Sequence, residues 1–221
     1  MIEVRNLTKT YNIEGQVITA VDNVTLDVSE GEFVSIVGHS GSGKTTLLSL
    51  LGGLTRPDSG TVVMDGVNLW DIDDNRLSEF RNKKINFIFQ FASLIPTLTV
   101  KENVCLPSVF GQYNAGVDEY AVRLLEMVGL SDKINSYPSQ LSGGQQRRVA
   151  IARAFINTPK VILADEPTGD LDEETEKEII SIFNRMNADD KVTFIIVTHN
   201  TELAGQAKRQ LRMSNGVLKE V

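Results

Sequence analysis

The residues Gly38-His39-Ser40-Gly41-Ser42-Gly43-Lys44-Thr45 fit the spacing G-x-x-x-x-G-K-[ST], a pattern whose chemistry is the holding of phosphate. Its glycines let the backbone turn tightly enough to aim successive N–H groups at phosphate oxygens. A helix expected to begin near Lys44 adds the positive end of its dipole. Lys44 would reach the β- and γ-phosphates of a nucleotide as a point charge, and the Thr45 hydroxyl would coordinate the Mg²⁺ that bridges them. The flanks agree: the strand-like run Phe33-Val34-Ser35-Ile36-Val37 precedes the loop, and the helix-like run Thr46-Leu47-Leu48-Ser49-Leu50-Leu51 follows it. A Gly/Ser-rich surface loop without a ligand would have no need of a Lys-Thr pair at the start of an apolar helix.

Three further strands are expected to end in polar groups. Val161-Ile162-Leu163-Ala164 runs into Asp165-Glu166, two carboxylates that are costly at the end of a buried strand unless they are used. A metal ligand and a base for water would use both, with Asp165 holding Mg²⁺ through water and Glu166 orienting or deprotonating the attacking water. The bland alternative is a solvated strand end. Thr193-Phe194-Ile195-Ile196-Val197-Thr198 is a second buried run, with His199 at its end as a candidate γ-phosphate contact rather than a packed core histidine. Ile85-Asn86-Phe87-Ile88-Phe89 alternates and stops at Gln90, where an amide could face the γ-phosphate or its metal, because ligands of open α/β sheets gather at the carboxyl ends of strands.

Between these runs stands Leu141-Ser142-Gly143-Gly144-Gln145, opening a helix that continues through Arg147-Arg148-Val149-Ala150-Ile151-Ala152-Arg153-Ala154-Phe155. Ser142 and Gln145 have the spacing of a capping box. Capping accounts for Ser142, but not for two glycines of poor helix propensity in the first turn. The pair favours close approach by an anionic ligand or by another backbone at the helix N-terminus.

Around these residues, positions 2–36 carry short alternating segments separated by Glu14-Gly15 and Glu30-Gly31, expected to be antiparallel strands, with Tyr11 in the first connection as an exposed aromatic or a residue packed on the sheet. A helix is expected over 77–84 and an amphipathic one over 118–130, with Asp172 capping the helix that follows the carboxylate pair. The 221 residues carry 41% hydrophobic and 23% charged side chains, ordinary for a globular chain. A formal net charge of −7 leaves no basic field for nucleic acid, and the single Cys105 precludes an intrachain disulfide. The start Met1-Ile2-Glu3-Val4-Arg5 lacks a secretory pattern, and no run is apolar enough to span a membrane. Work at a membrane would therefore need a separate membrane partner.

Taken together the motifs resemble the nucleotide-binding domain of an ABC transporter, over essentially the whole chain and in the family's order. The resemblance implies an α/β fold: a P-loop NTPase core with a mainly parallel sheet, an N-terminal antiparallel β subdomain and an inserted helical subdomain. It divides the single domain into an ATP-binding core at 1–90 and 159–221 and a helical subdomain at 91–158. It implies ATP and Mg²⁺ as ligands, with Tyr11 stacking on adenine and residues 38–45 with Thr46 forming the Walker A loop. Gln90 matches the Q-loop glutamine, Asp165 and Glu166 the Walker B pair, Gly169-Asp170-Leu171-Asp172 the D-loop and His199 the switch histidine. Ser142, Gly143, Gly144 and Gln145 would cover ATP held by a second copy, since such domains close head to tail. The metal would sit among Thr45, Gln90 and Asp165, with Glu166, His199, Gln90 and Lys44 catalytic.

A finer resemblance is to the lipoprotein-release, macrolide-export and cell-division branch, carried by Leu94-Ile95-Pro96-Thr97-Leu98-Thr99-Val100, Glu102-Asn103-Val104 and Glu166-Pro167-Thr168-Gly169. His39 stands where Pro is common, and Asp170 where this branch usually has Asn. The resemblance implies a peripheral protein on the cytoplasmic face of the membrane, partnered by a second such domain and by multi-span membrane subunits. These would dock near residues 91–100, where Phe91, Leu94, Ile95 and Leu98 stand among few charges. A soluble ABC-type ATPase that regulates or assembles a protein complex remains the alternative. A P-loop GTPase or kinase would leave the 141–145 motif unexplained.

Overall fold

The structure, a computed structural model, describes residues 1–111, 116–169 and 171–221. The chain begins with two long strands, β1 (Ile2–Ile13) and β2 (Gln16–Val28), joined through the left-handed Glu14 and Gly15. Short separate strands were expected here. Instead the ladder runs on through register shifts between Val4 and Leu7, Leu7 and Lys9, and Lys9 and Thr10, with Asn6 and Asn23 left-handed at φ 50° and 48°. Each bulge interrupts the alternation in the sequence without interrupting the pairing. Tyr11 consequently lies within β1, opposite Ile18, and not in a connection.

β3 (Phe33–Val37) feeds the glycine loop and then α1 (Lys44–Leu51), which closes at Gly52. β4 (Ser59–Met64) and β5 (Val67–Asn68) complete a four-stranded antiparallel sheet in the order β2-β1-β4-β5. Then follow α2 (Asp74–Lys84), β6 (Ile85–Ile88), α3 (Val100–Val109), α4 (Val117–Met127) and α5 (Gly143–Phe155). α4 ends as a Schellman turn: Gly129 is at φ 69°, Leu130 N donates to Leu125 O at 2.8 Å, and Gly129 N donates to Glu126 O at 3.0 Å. The chain finishes with β7 (Val161–Asp165), α6 (Glu173–Asp190), β8 (Thr193–Val197), α7 (Thr201–Gln206), β9 (Arg209–Ser214) and β10 (Val217–Glu220). Asp172 caps α6, accepting from Thr175 N at 2.9 Å.

The second sheet has the order β10-β9-β3-β8-β7-β6, parallel except for β10. Its central strands β3, β7 and β8 are apolar except at Ser35, Asp165 and Thr193, because both faces are covered. Phe33, Ile162, Ala164, Phe194 and Ile196 face a core shared with α3 to α6, while Val34, Ile36, Leu163, Ile195 and Val197 face one shared with α1 and the antiparallel sheet. Phe194 anchors the first core, its ring centroid 5.1 Å from Phe33 and 5.2 Å from Phe183.

Register brings the strand ends together. Ile36 and Asp165 both stand against Val197, so the loop after β3 and the turns after β7 and β8 leave the sheet at one level. β6 stops at Ile88, opposite Ala164, and Gln90 lies two residues past the strand and not at its last position. Between them stands Phe89, whose carbonyl accepts from the Arg147 guanidinium at 2.8 Å.

Candidate functional site

The glycine loop is wedged between two strands. A Cβ on Gly38 would lie 2.3 Å from Met213 O, and one on Gly43, already at φ 104°, would lie 1.9 Å from Ala20 O. Neither position admits any other residue without moving backbone. Lys44 folds over the loop it follows, donating from Nζ to Gly38 O at 2.8 Å and His39 O at 2.9 Å. No side chain caps α1, so its first N–H groups face the loop uncovered. Ser42 Oγ, buried beneath, has no hydrogen-bond partner among the described residues. An uncapped helix end, a folded-back lysine and an orphaned hydroxyl together form a cradle for an anion.

On the neighbouring strand Asp165 Oδ2 accepts from Thr45 Oγ1 at 2.7 Å. Burial pushes the Asp165 carboxyl up from its ordinary value, the Thr45 hydroxyl pulls it down, and the adjacent Glu166 pushes it up again. Two hard oxygen donors in contact suit Mg²⁺, which keeps several waters and takes the rest of its shell from phosphate. Among the described residues no group of three or more His, Cys, Asp or Glu could form a closed metal site.

Glu166 is left-handed at φ 47°, an uncommon backbone for an L side chain. Both its oxygens are held: Oε1 meets His199 Nδ1 at 2.8 Å, and Oε2 accepts from Thr198 Oγ1 at 3.0 Å and from His199 N at 3.2 Å, which leaves Oε1 an acceptor site to spare. The carboxylate is half-buried while His199 is 77% exposed, so the imidazole stands at the mouth and the carboxylate behind it.

These groups line one cavity of about 620 Å³, together with Tyr11, Gly38, His39, Ser40, Gly41, Gly43, Thr46 and Gln90. The Tyr11 ring is at the rim, 38% exposed, with Lys9 Nζ 5.6 Å from its centroid. Sequence reasoning missed Ile18 and Ala20, which also line the cavity, and Thr198, which holds Glu166. Ile18 was findable only through its pairing with Tyr11 across a bulged ladder.

Ser142, Gly143, Gly144 and Gln145 do not line this cavity. They form a complete capping box, Ser142 Oγ accepting from Gln145 N at 3.2 Å and Gln145 Oε1 from Ser142 N at 3.0 Å. A Cβ on Gly143 would meet nothing within 4 Å, and one on Gly144 only Leu171 Cδ2 at 3.5 Å. The described residues therefore give no reason for either glycine. Asp170 lies outside the described residues.

The segment 91–100 is shaped from below by Asn103, which accepts from Ile95 N and donates to Ile95 O, Leu98 O and Thr99 O, all within 3.1 Å. Phe91 and Ile95 are 75% and 42% exposed. Leu94 was expected on the same surface. It is instead partly buried and packs against the core shared with α3 to α6, in the loop whose backbone Asn103 holds.

The family model for the ABC transporter matches residues 21–169. The chain is 45% identical over 221 residues to the ABC transporter ATP-binding protein MJ0796 of Methanocaldococcus jannaschii, covering 98% of this chain and 94% of that protein. It is 44% identical to the lipoprotein-releasing system ATP-binding protein LolD 2 of Chlorobium chlorochromatii, covering 100% and 94%. To the macrolide export ATP-binding/permease protein MacB of Syntrophobacter fumaroxidans it is 42% identical, covering 99% of this chain but only 31% of that longer protein. Among solved structures, a dimeric post-hydrolysis state of MJ0796 bound to ADP and Pi superposes with a TM-score of 0.94 at 42% identity, covering 100% and 98%.

Proposed function

Because the chain belongs to the ABC transporter family, we propose that it is the ATP-binding and hydrolysing subunit of a transporter, closing head to tail with a second copy on ATP and powering export or extraction of a substrate through separate membrane subunits. The observation that carries this is the meeting, in one cavity, of an uncapped helix end, the Thr45 to Asp165 contact and a carboxylate held by Thr198 and His199.

In this reading the loop N–H groups and Lys44 bind the phosphates, and Tyr11 with Ile18 packs on the base. Thr45 and Asp165 would hold Mg²⁺, with Gln90 facing the same space. When bound, the ion supplies charge neutralisation between the β- and γ-phosphates. Glu166 orients the attacking water and accepts its proton, and His199, at the mouth of the cavity, holds Glu166 behind it while presenting its exposed ring toward the γ-phosphate. Hydrolysis is then mostly positioning and electrostatics.

The two unexplained glycines support a composite site. Gly143 and Gly144 leave the N-terminus of α5 open, and a second copy would supply the γ-phosphate that approaches it. Residues 1–90 and 159–221 act as the ATP-binding core, and 91–158 as the helical unit carrying that helix end.

No helix among the described residues is long and apolar enough to cross a membrane; in this reading membrane-spanning subunits supply the passage, and the protein serves them from the cytoplasmic face. Their docking surface would be the exposed Phe91 and Ile95 with the adjoining groove of about 570 Å³ beside β6, lined by Leu54, Phe87, Phe89 and Phe110. Relatives named for macrolide export and lipoprotein release favour transport over a soluble assembly ATPase.

The test is hydrolysis and sizing of the purified chain. Lys44→Ala should lose ATP binding. Glu166→Gln should bind ATP, turn over hardly at all and shift to a dimer only with MgATP; a wild-type rate in that variant would remove Glu166 from its assigned role.

A further inference from the structure

Arg147 is the one charged side chain among the described residues that is buried outright, at 6% exposure. A guanidinium is taken out of water only where its donors are met. Its Nη1 donates to Phe89 O at 2.8 Å and its Nη2 to Gly169 O at 3.2 Å. Phe89 immediately precedes Gln90. Gly169 closes the turn after Glu166, its N–H donating to Glu166 O at 3.1 Å, and Glu166 keeps its left-handed backbone at the start of that turn. Such a conformation persists only where the surroundings over-determine it.

One planar side chain thus grips the backbone at two edges of the cavity, from the helix whose first turn is Gly143 and Gly144. Arg153, six residues further along α5, offers a contrast. It donates to Ala92 O at 2.7 Å and Ser93 O at 2.9 Å, and so holds the segment after Gln90 without reaching the turn after Glu166.

We infer that Arg147 is a positioning residue for hydrolysis: its fork sets the carbonyls of Phe89 and Gly169 at a fixed separation, so that Gln90, Glu166 and the open end of α5 are placed as one unit. The inference rests on the roles proposed above for Gln90 and Glu166. Arginine is suited to this because its two donors lie in one rigid plane, whereas a lysine ammonium on a flexible stem can satisfy one carbonyl well and the other poorly.

The experiment uses the full chain and measures steady-state kcat and KM for MgATP, the ATP dissociation constant and thermal melts for Arg147→Gln and Arg147→Lys, alone and combined with Gln90→Ala. Arg147→Gln should lower kcat about 10- to 100-fold while KM and the dissociation constant stay within about twofold, because the phosphate cradle is untouched. Arg147→Lys should recover part of the loss. Combining either with Gln90→Ala should cost less than the product of the separate effects, since both act through the same segment. A wild-type kcat, a kcat that falls only in proportion to the folded fraction, or fully multiplicative losses would overturn the inference. If Arg147→Gln does not fold, Arg147→Lys and its combination with Gln90→Ala decide. Glu166→Gln is the reference: its turning over normally would sink the parent reading, whereas an inactive Glu166→Gln beside unaffected Arg147 variants would sink this inference alone.

Discussion

Glu166 and Thr198 stand at the ends of neighbouring parallel strands, and the Thr198 hydroxyl donates to Glu166 Oε2 at 3.0 Å. That bond fixes one carboxylate oxygen while Oε1 turns to His199, so the strand register itself aims the group. Thr198→Val keeps the shape and removes the donor. The hydroxyl is fully buried, and its loss should cost about 1 kcal/mol in stability, since Asn200 N, which donates to it at 3.0 Å, also loses its acceptor. Turnover should fall several-fold, with ATP affinity unchanged. Steady-state kinetics beside an ATP titration separates the two; a parallel loss of affinity would mean that Thr198 serves the cradle and not Glu166.

Gly143→Ala should separate stability from function. The added methyl meets nothing within 4 Å among the described residues, and Ala is favoured over Gly in a helix by about 1 kcal/mol, so the melting temperature should hold or rise. If the end of α5 closes on a nucleotide held by a second copy, the same methyl should weaken ATP-driven dimerisation. Sizing in the Glu166→Gln background reads this directly. Undiminished dimerisation, repeated with Gly143→Val, would leave the glycines without a composite site to explain them.

Acid stability should depend on Asp58. Its carboxylate accepts from Lys9 Nζ, Thr10 N and Thr10 Oγ1, and the Lys9 contact above all lowers its pKa from 3.8 to about 2. A carboxyl with a depressed folded pKa stabilises above its unfolded value, and that contribution is lost as pH falls from about 4 towards 2. Asp58→Asn should therefore lower the melting temperature at neutral pH and flatten its fall across that window. An unchanged slope would mean that the exposed cluster contributes nothing measurable.

The site was legible where chemistry and local pattern coincide. The strand, glycine loop and helix around Lys44 could be read directly, as could the capping box at Ser142 and the N-cap at Asp172, because each needs only residues within a few positions of itself. What could not be read depends on partners far along the chain. Bulges hid the continuity of β1 and β2, and with it the facing of Tyr11 by Ile18. The place of Gln90 beyond the strand is not legible because the alternation from Ile85 to Phe89 carries no mark of where pairing with β7 stops, and nothing local shows that Arg147, 58 positions after Phe89, holds the Phe89 carbonyl. Leu94 was read as surface because a buried amide at Asn103, which holds the backbone of its loop, looks in sequence like any polar residue on a helix.

Tyr11 should supply affinity more than base selectivity. Stacking on an aromatic ring contributes roughly 1 to 3 kcal/mol per base in nucleic-acid complexes, and every base has a π face. Tyr11→Ala should weaken ATP and GTP by similar factors, and Tyr11→Phe should change little. Ile18→Ser, on the facing strand, should give a smaller loss of the same kind. A loss confined to ATP would show that the Tyr11 hydroxyl or nearby backbone reads the base.

The docking surface can be tested by three neighbouring positions, two exposed and one packed. Phe91 is 75% exposed and Ile95 42%, whereas Leu94 between them packs against the core. Phe91→Ser and Ile95→Ser remove apolar surface that the isolated chain does not bury, so melting temperature, basal hydrolysis and ATP-driven dimerisation should stay near wild type. Leu94→Ser replaces a partly buried, packed side chain by a polar one and should destabilise by about 1 to 2 kcal/mol. If membrane subunits seat on this surface, the two exposed variants should lose co-purification with them and stimulation by them, while Leu94→Ser loses both only in proportion to its unfolding. Full stimulation of Phe91→Ser and of Ile95→Ser would move the docking site off this loop, to the groove beside β6 where Phe89→Ser and Phe110→Ser are the next variants.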